Sequence, residues 1–217
     1  NTDLGESTYT HLGDNWTVVA TDNDGIASYV YTLTGATEGT GTSLNGVVFN
    51  IGITTVTWVV TDNSGNTAEC SFIVTVSNDE NPIFVVGCSE IGNQSVGTDL
   101  NTNTYTHNGT AWDVEVESNV GIESVVWTLT GATTGEGTNS LEGTVFNLGV
   151  TTVTWTVTDV SGNTASCSYV VTVVDNQSPN LIVGCDDIGN QVVETIQGKN
   201  YYINSGSNWD VVAEDND

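Results

Sequence analysis

Four cysteines stand out first among the residues that could do chemistry: Cys70, Cys88, Cys167 and Cys185. Cys70 and Cys88 are 88 − 70 = 18 residues apart, and so are Cys167 and Cys185, as 185 − 167 = 18. No Cys-x-x-Cys pair of a zinc site occurs, so the cysteines indicate disulfides and an oxidising, extracellular setting. The equal spacing invites pairing of sequence neighbours, and the alternatives are long-range bonds or free buried thiols.

Carboxylates offer a second kind of chemistry, because Ca²⁺ prefers several carboxylate and carbonyl oxygens. Stretches such as Thr21–Gly25 are rich in such oxygens, whereas the corresponding Glu117–Gly121 has fewer carboxylates. The alternative is that Asp and Asn shape turns through their own hydrogen bonds, as Asp62 with Asn66 would do. The candidate calcium ligands are Asp22, Asp24, Asp62, Asp79, Glu80, Asp159, Asp175, Asp215 and Asp217.

The two histidines, His11 and His107, have no nucleophile or metal ligand suggested beside them, and a third repeat position holds Asn204. A catalytic base needs such a partner within reach. No nucleophile elbow, phosphate loop or His-Glu-x-x-His motif occurs. We therefore expect surface histidines on a strand and a protein that is not an enzyme.

Charge limits the partners further. The 217 residues carry 27 acidic side chains against one base, Lys199, for a formal net charge of −26. Such a surface repels nucleic acid and anionic membranes, and no apolar run is long enough to insert into a bilayer. The chain contains no Met, so we expect an internal piece of a longer protein.

The chain repeats itself. Trp112 follows Trp16 by 112 − 16 = 96 residues, and Trp155 follows Trp58 by 155 − 58 = 97. We therefore expect a partial repeat at 1–80, a complete repeat at 81–177 and the start of another at 178–217. We call these ranges the first, second and third repeats.

Strand and turn signals fill each repeat. Val153, Trp155 and Val157 alternate with threonines, which predicts a half-buried strand, and Ser161–Asn163 predicts a turn. The Gly-rich stretch 130–138 favours an irregular loop. Together these signals predict an all-β fold of antiparallel β-sandwiches, in which Trp112, Trp127 and Trp155 are buried.

Two prolines, Pro82 and Pro179, hold the same position in successive repeats. Proline stiffens the chain and suits the start of a first strand, so we expect these to be the joints of an extended rod. The nearby Asp79, Glu80 and Asp175 would repel one another, and bound Ca²⁺ would neutralise and stiffen the joint.

One set of positions in the second repeat combines the joint proline, the strand–turn–strand motif and two cysteines. They are Pro82, Cys88, Phe146, Gly149, Thr151, Val153, Trp155, Asp159, Gly162, Asn163 and Cys167. These residues resemble the hyalin-repeat (HYR) family, a module with an immunoglobulin-like fold. The second repeat departs from that pattern at Ser89, and the third at Asp186, where a Pro often follows the first Cys. The Thr-, Asn- and Gly-rich, Lys-poor composition is similar to that of giant adhesins secreted by gliding Bacteroidetes.

The resemblance has consequences for the cysteines and for function. In an immunoglobulin-like sandwich the first and last strands lie side by side, which implies a Cys88–Cys167 disulfide, with Cys70 and Cys185 pairing outside this chain. It implies a stalk or filament at the cell surface that contacts neighbouring repeats. The alternative is a carbohydrate- or surface-binding module that acts through its loops.

Overall fold

The computed structural model describes residues 1–199 and 201–214 and shows an all-β protein. The first repeat contains six strands. They are β1 (Thr8–Thr10), β2 (Ile26–Gly35), β3 (Gly39–Gly41), β4 (Val48–Asn50), β5 (Gly52–Asp62) and β6 (Thr67–Val76). Its main sheet has the order β3-β2-β5-β6, and β1 pairs with β4 opposite it.

The second repeat has the same arrangement with additional strands at its start. Its elements are β7 (Ile83–Val86), α1 (Cys88–Ile91), β8 (Gln94–Gly97), β9 (Thr104–Thr106), β10 (Glu115–Glu117), β11 (Ile122–Gly131), β12 (Gly135–Thr138), β13 (Val145–Asn147), β14 (Gly149–Asp159) and β15 (Thr164–Val174). The main sheet has the order β12-β11-β14-β15-β8, and the short pairs β13-β9 and β10-β7 complete the sandwich. The described part of the third repeat contains β16 (Asn180–Val183), α2 (Cys185–Ile188) and β17 (Val212–Glu214), with β16 paired to β17.

Alternation along β14 builds the core of the second repeat. Val153, Trp155 and Val157 are fully buried, whereas the threonines between them face outward. Trp112 and Trp127 are also buried, so the predicted burial of all three tryptophans is confirmed. Burial of one such ring contributes roughly 4–6 kcal/mol at ordinary area coefficients. The aromatic core therefore dominates the stability of the sandwich.

The Gly-rich stretch is more regular than the sequence predicted. Its second half forms β12, in which Gly137 lies opposite Trp127 of β11. A Cβ atom on Gly137 would lie 2.2 Å from the indole of Trp127, so the strand needs glycine there. The prediction of an irregular loop was wrong because these glycines make room for a buried ring.

The prediction of surface histidines was also wrong. His11 and His107 are 1% and 2% exposed, and each lies flat against a tryptophan. The ring centroids of His107 and Trp112 are 3.9 Å apart, and those of His11 and Trp16 are 3.8 Å apart. Neither imidazole makes a hydrogen bond of ordinary geometry. Stacking on an aromatic face thus places a polar ring in the core.

The predicted disulfide is present. Cys88, at the start of α1, is bonded to Cys167 in β15, with the two Cα atoms 5.7 Å apart. The start of the repeat lies beside its last strand, because β8, its second strand, pairs in parallel with β15, whereas the first strand, β7, pairs with β10. The bond therefore closes the sandwich where the chain enters it.

Removing this bond tests its contribution. In the chain-entropy account, a cross-link spanning 79 residues stabilises by roughly 4–5 kcal/mol. We expect the double variant Cys88→Ala, Cys167→Ala to lower the free energy of unfolding of the second repeat by about that amount in urea titrations. Cys70→Ala is the matched control and should change little. Peptide mapping that found Cys70 bonded to Cys88 would contradict the assignment.

The buried imidazole of His107 should make stability depend on pH. Burial lowers the pKa of His107, and the carboxylates of Asp113 and Glu142 and the backbone of Gly109 offset only part of this effect. The unfolded chain then binds the proton more readily, so stability is complete above the ordinary pKa of about 6.5 and declines as pH falls through the lower folded value.

Proton NMR can follow this titration directly. We expect the ring Cε1 proton of His107 to titrate with a midpoint below about 6.5, since the folded state favours the neutral ring. Urea unfolding should show a smaller loss of stability on acidification in His107→Gln than in the parent chain. A midpoint at or above 6.5 would contradict the effect of burial.

Candidate repeat interface

The turn between β14 and β15 presents a buried carboxylate at the end of the second repeat. Asp159 is 0% exposed. Its Oδ1 accepts hydrogen bonds from the backbone N–H groups of Ser161 and Asn163, both at 2.9 Å. Its Oδ2 accepts the side-chain amide of Asn163 at 3.0 Å. Gly162 at φ +87° lets the chain reverse here. Asp159 thus shapes the turn and still has acceptor capacity for another donor.

Asn78, two residues beyond β6, provides that donor from the linker. Its side-chain Nδ2 donates to Oδ2 of Asp159 at 3.0 Å, and the residue is 8% exposed. Its backbone carbonyl accepts the Asn163 side-chain amide at 3.3 Å. Asn78 is therefore held by the turn of the second repeat through both its side chain and its backbone.

Asn119 holds the linker from another side. Its side-chain amide donates to Oδ1 of Asn78 at 3.0 Å and to the backbone carbonyl of Glu6 at 2.8 Å. Oδ1 of Asn78 also accepts the hydroxyl of Thr2 at 3.3 Å. One asparagine of the second repeat thus contacts both the linker and the first repeat. These contacts join the repeats through a network of neutral amides around one carboxylate.

The charge state of Asp159 suits this network. Burial acts to raise the pKa of this carboxyl, but hydrogen bonds from the Asn163 side chain and from the backbone of Asn163, Ser161 and Gly162 outweigh it, so the pKa is lowered. Asp159 is therefore ionised at neutral pH, where hydrogen bonds to a charged acceptor are stronger than neutral ones.

The linker carboxylates turn toward the first repeat. Both carboxylate oxygens of Glu80 accept the backbone N–H of Gly5, at 3.0 and 3.1 Å, and Asp79 accepts the side-chain amide of Asn1. At the next joint Gln177, the counterpart of Glu80, accepts the N–H of Asn101 at 2.8 Å. A neutral amide makes the same kind of contact as Glu80, so the contact requires an acceptor and no charge.

The other calcium candidates also accept hydrogen bonds from the protein. Asp22 Oδ1 accepts the N–H of Asp24, Asp24 accepts the hydroxyl of Ser64, and Asp175 accepts the N–H of Gln177. Asp62 repeats the contacts of Asp159 with its own turn. Asp215 and Asp217 lie outside the described residues. Within residues 1–199 and 201–214, no three His, Cys, Asp or Glu side chains gather closely enough to hold a metal ion.

Comparison with known families now decides what the repeats are. The HYR domain matches residues 16–76 and 86–173, which is more than half of the chain. The chain belongs to the HYR family. HYR repeats are extracellular, adhesion-type modules that are typically non-catalytic, and the chain is a module of this general class.

Solved structures that resemble these HYR repeats share only a distant likeness. The extracellular cadherin domains 1–5 of protocadherin gamma B2 have a TM-score of 0.33 and 14% identity, covering 70% of this chain and 34% of that one. Human cadherin-23 domains 21–23 give 0.32 and 16%, covering 71% and 65%, and mouse cadherin-23 domains 22–24 give 0.32 and 18%, covering 79% and 63%. This chain thus spans about a third of the first structure and less than two thirds of the others.

No curated protein matches the sequence. In the described part of the chain, no helix has both the length and the apolar character needed to cross a bilayer.

The remaining cysteines of the HYR repeats are unpaired within the structure. Cys70 and Cys185 occupy the repeat positions of Cys167 and Cys88, and both are free and exposed. Their pairing with cysteines outside this chain stays a prediction.

The two residues that join the repeats, Asn78 and Asn119, were not predicted from the sequence. Asn78 was not singled out, and Asn119 lay within a stretch, Glu117–Gly121, that was noted only for its fewer carboxylates. The sequence offers only an indirect signal for them, which is one amide side chain in the linker and another in the loop before β11. That signal gains meaning only when the topology brings the linker to the β14–β15 turn.

We expect Asn78→Asp to open the joint while both HYR repeats stay folded. The substitution places a carboxylate against Asp159 in a buried site, so the hydrogen bond is replaced by repulsion. Loss of a hydrogen bond to a charged group corresponds to about 1.5–3 kcal/mol. Residual dipolar couplings should show independent alignment of the two repeats.

Asn81→Asp is the matched control, since it adds the same charge three residues further along the linker. Its two repeats should keep a common alignment. Equal behaviour of the two variants would contradict the role given to Asn78.

Proposed function

We propose that this chain is a stiff segment of a long extracellular stalk built from tandem HYR repeats at the cell surface. The stalk would hold a distal adhesive end away from the cell. The observation that carries this proposal is the insertion of Asn78 into the Asp159 turn of the next repeat. A linker that only tethered two domains would need no buried contact on the domain that follows it.

The linker can transmit orientation because several restraints act within five residues. Asn78 is fixed to the second repeat, Glu80 is fixed to the first by Gly5, and Pro82 limits rotation immediately before β7. Buried polar contacts of this kind specify one arrangement, because an alternative packing would leave the buried Asp159 without the hydrogen bond that Asn78 donates. The repeat boundaries at 80/81 and 177/178 are part of this proposal.

Composition supports a bacterial setting for the stalk. The excess of Thr, Asn and Gly with a single Lys is similar to that of the secreted repeat adhesins of gliding Bacteroidetes. A net charge of −26 keeps long, crowded filaments apart and soluble. We include a role in gliding motility in the proposal on this basis alone.

A loop-based glycan-binding function has less support. Residues 131–138 contain no aromatic side chain, and their second half is committed to β12 against the buried Trp127. Aromatic rings exposed on loops are what such a module would offer to a sugar or a surface. The stalk is therefore the function that the geometry favours.

Calcium does not fit the first joint as arranged here. Asp159 already accepts four hydrogen bonds, and Glu80 and Asp79 point to donors in the first repeat. A hard cation would need several of these oxygens turned toward one point. We assign the stiffness of this joint to its amide contacts, and calcium binding at other positions of the array stays a separate hypothesis.

Small-angle scattering distinguishes these explanations. We expect the maximum dimension of the chain to be the same in Ca²⁺ and in chelator, because hydrogen bonds hold the joint. The Asn78→Asp variant should instead give a broader distribution of dimensions in both buffers. A chain that lengthened on addition of Ca²⁺, with matching calorimetric binding, would show that the joint depends on the cation.

A further inference from the structure

The first repeat carries an open cavity of about 170 Å³ at its β5–β6 turn. Its lining includes Asp62 and Asn66 of the turn together with Asp22 and Ile26 from the preceding segment. Asp62 accepts hydrogen bonds from the β5–β6 turn in the same way as Asp159 accepts them from the β14–β15 turn. It accepts the N–H groups of Ser64 and Asn66 at 2.8 Å, and the Asn66 side-chain amide at 2.7 Å.

The corresponding place in the second repeat is filled. Asp62 and Asn66 correspond to Asp159 and Asn163, since 62 + 97 = 159 and 66 + 97 = 163. Asn23 corresponds to Asn119, since 23 + 96 = 119. In the second repeat this constellation holds the Asn78 side chain, and Asp159 receives from it a hydrogen bond that Asp62 does not receive. The exposure of the two carboxylates differs accordingly: Asp159 is fully buried, whereas Asp62 is half-buried.

We propose that the Asp22–Asp62–Asn66 cavity is a docking socket for an asparagine from the linker of another HYR repeat, placed ahead of the first repeat. The inference rests on the proposed function, because it requires repeats in tandem. The amide of the incoming asparagine donates to Asp62, and its carbonyl oxygen accepts from Asn23, as Asn78 does with Asp159 and Asn119.

The charge of the socket selects the linker that it accepts. Asp22 and Asp24 stand where the second repeat has Ser118 and Val120, so this socket is more acidic than the occupied one. A neutral donor such as asparagine is attracted to Asp62. A linker with Asp at the same place, such as the one that begins at Asp175, brings a like charge against Asp22 and Asp62. The two linkers of this chain are therefore not interchangeable.

A peptide that copies the first linker, and a variant of it, test the socket in the intact chain. The probe is the capped nonapeptide of residues 76–84, Val-Ser-Asn-Asp-Glu-Asn-Pro-Ile-Phe, titrated into the ¹⁵N-labelled chain. Because a tethered linker acts at an effective concentration on the order of millimolar, we expect saturable shifts in that range at the amides of Asp22, Asp62 and Asn66. The same nonapeptide with Asn78→Asp is the control, because it adds one carboxylate at the third position and changes nothing else, and it should produce at least tenfold weaker shifts.

The chain variant Asp62→Asn provides the second control, since it keeps an acceptor for the turn but removes the charge that attracts the amide. It should weaken binding of the first peptide several-fold. Absence of shifts with the first peptide, or equal binding of both peptides, would overturn the proposal. The Asn78 side-chain amide in the free chain separates this failure from failure of the stalk itself. If that amide is protected from exchange and no peptide binds, the joint between the repeats is supported and only the proposed socket is contradicted.

Discussion

A carboxylate buried at a domain boundary constrains everything around it, because an ionised group away from water needs a hydrogen bond for each of its strong acceptor sites. Asp159 obtains three of these bonds from its own turn and one from Asn78 in the linker. The second repeat is thus complete at this end only when the first repeat is in place. Orientation between the repeats follows from a requirement for hydrogen bonds.

Much of the fold could be read from the sequence. The alternation of Val153, Trp155 and Val157 fixes which face of β14 is buried, since the side-chain period of a strand is two. The disulfide followed from the resemblance to a known family, and the structure has it. The burial of His107 could not be read in this way, because an imidazole is stabilised here by the face of Trp112, a contact of tertiary structure.

The interface between repeats was the hardest part to predict, and the reason is physical. Asn78 and Asp159 are 159 − 78 = 81 residues apart, and neither is unusual for its local structure. Asx turns with the pattern of Asp159 and Asn163 occur for purely local reasons. Glu80 was predicted from the sequence to be a calcium ligand because it is charged. The contact that it makes with Gly5 requires only a hydrogen-bond acceptor. Charge patterns overstate electrostatics wherever a carboxylate acts mainly as a hydrogen-bond acceptor.

The position of the Cys88–Cys167 bond has a consequence for a stalk under tension. A pulling force enters the second repeat near Pro82 and leaves it near Asp175, so it reaches both ends of the bond almost at once. The disulfide carries the force past the 79 residues between the cysteines, so these residues are not stretched. At about 3.3–3.6 Å per extended residue, they correspond to about 270 Å of chain. Only the short segments outside the cysteines can lengthen. An oxidised repeat of this kind therefore acts under load as a nearly inextensible link.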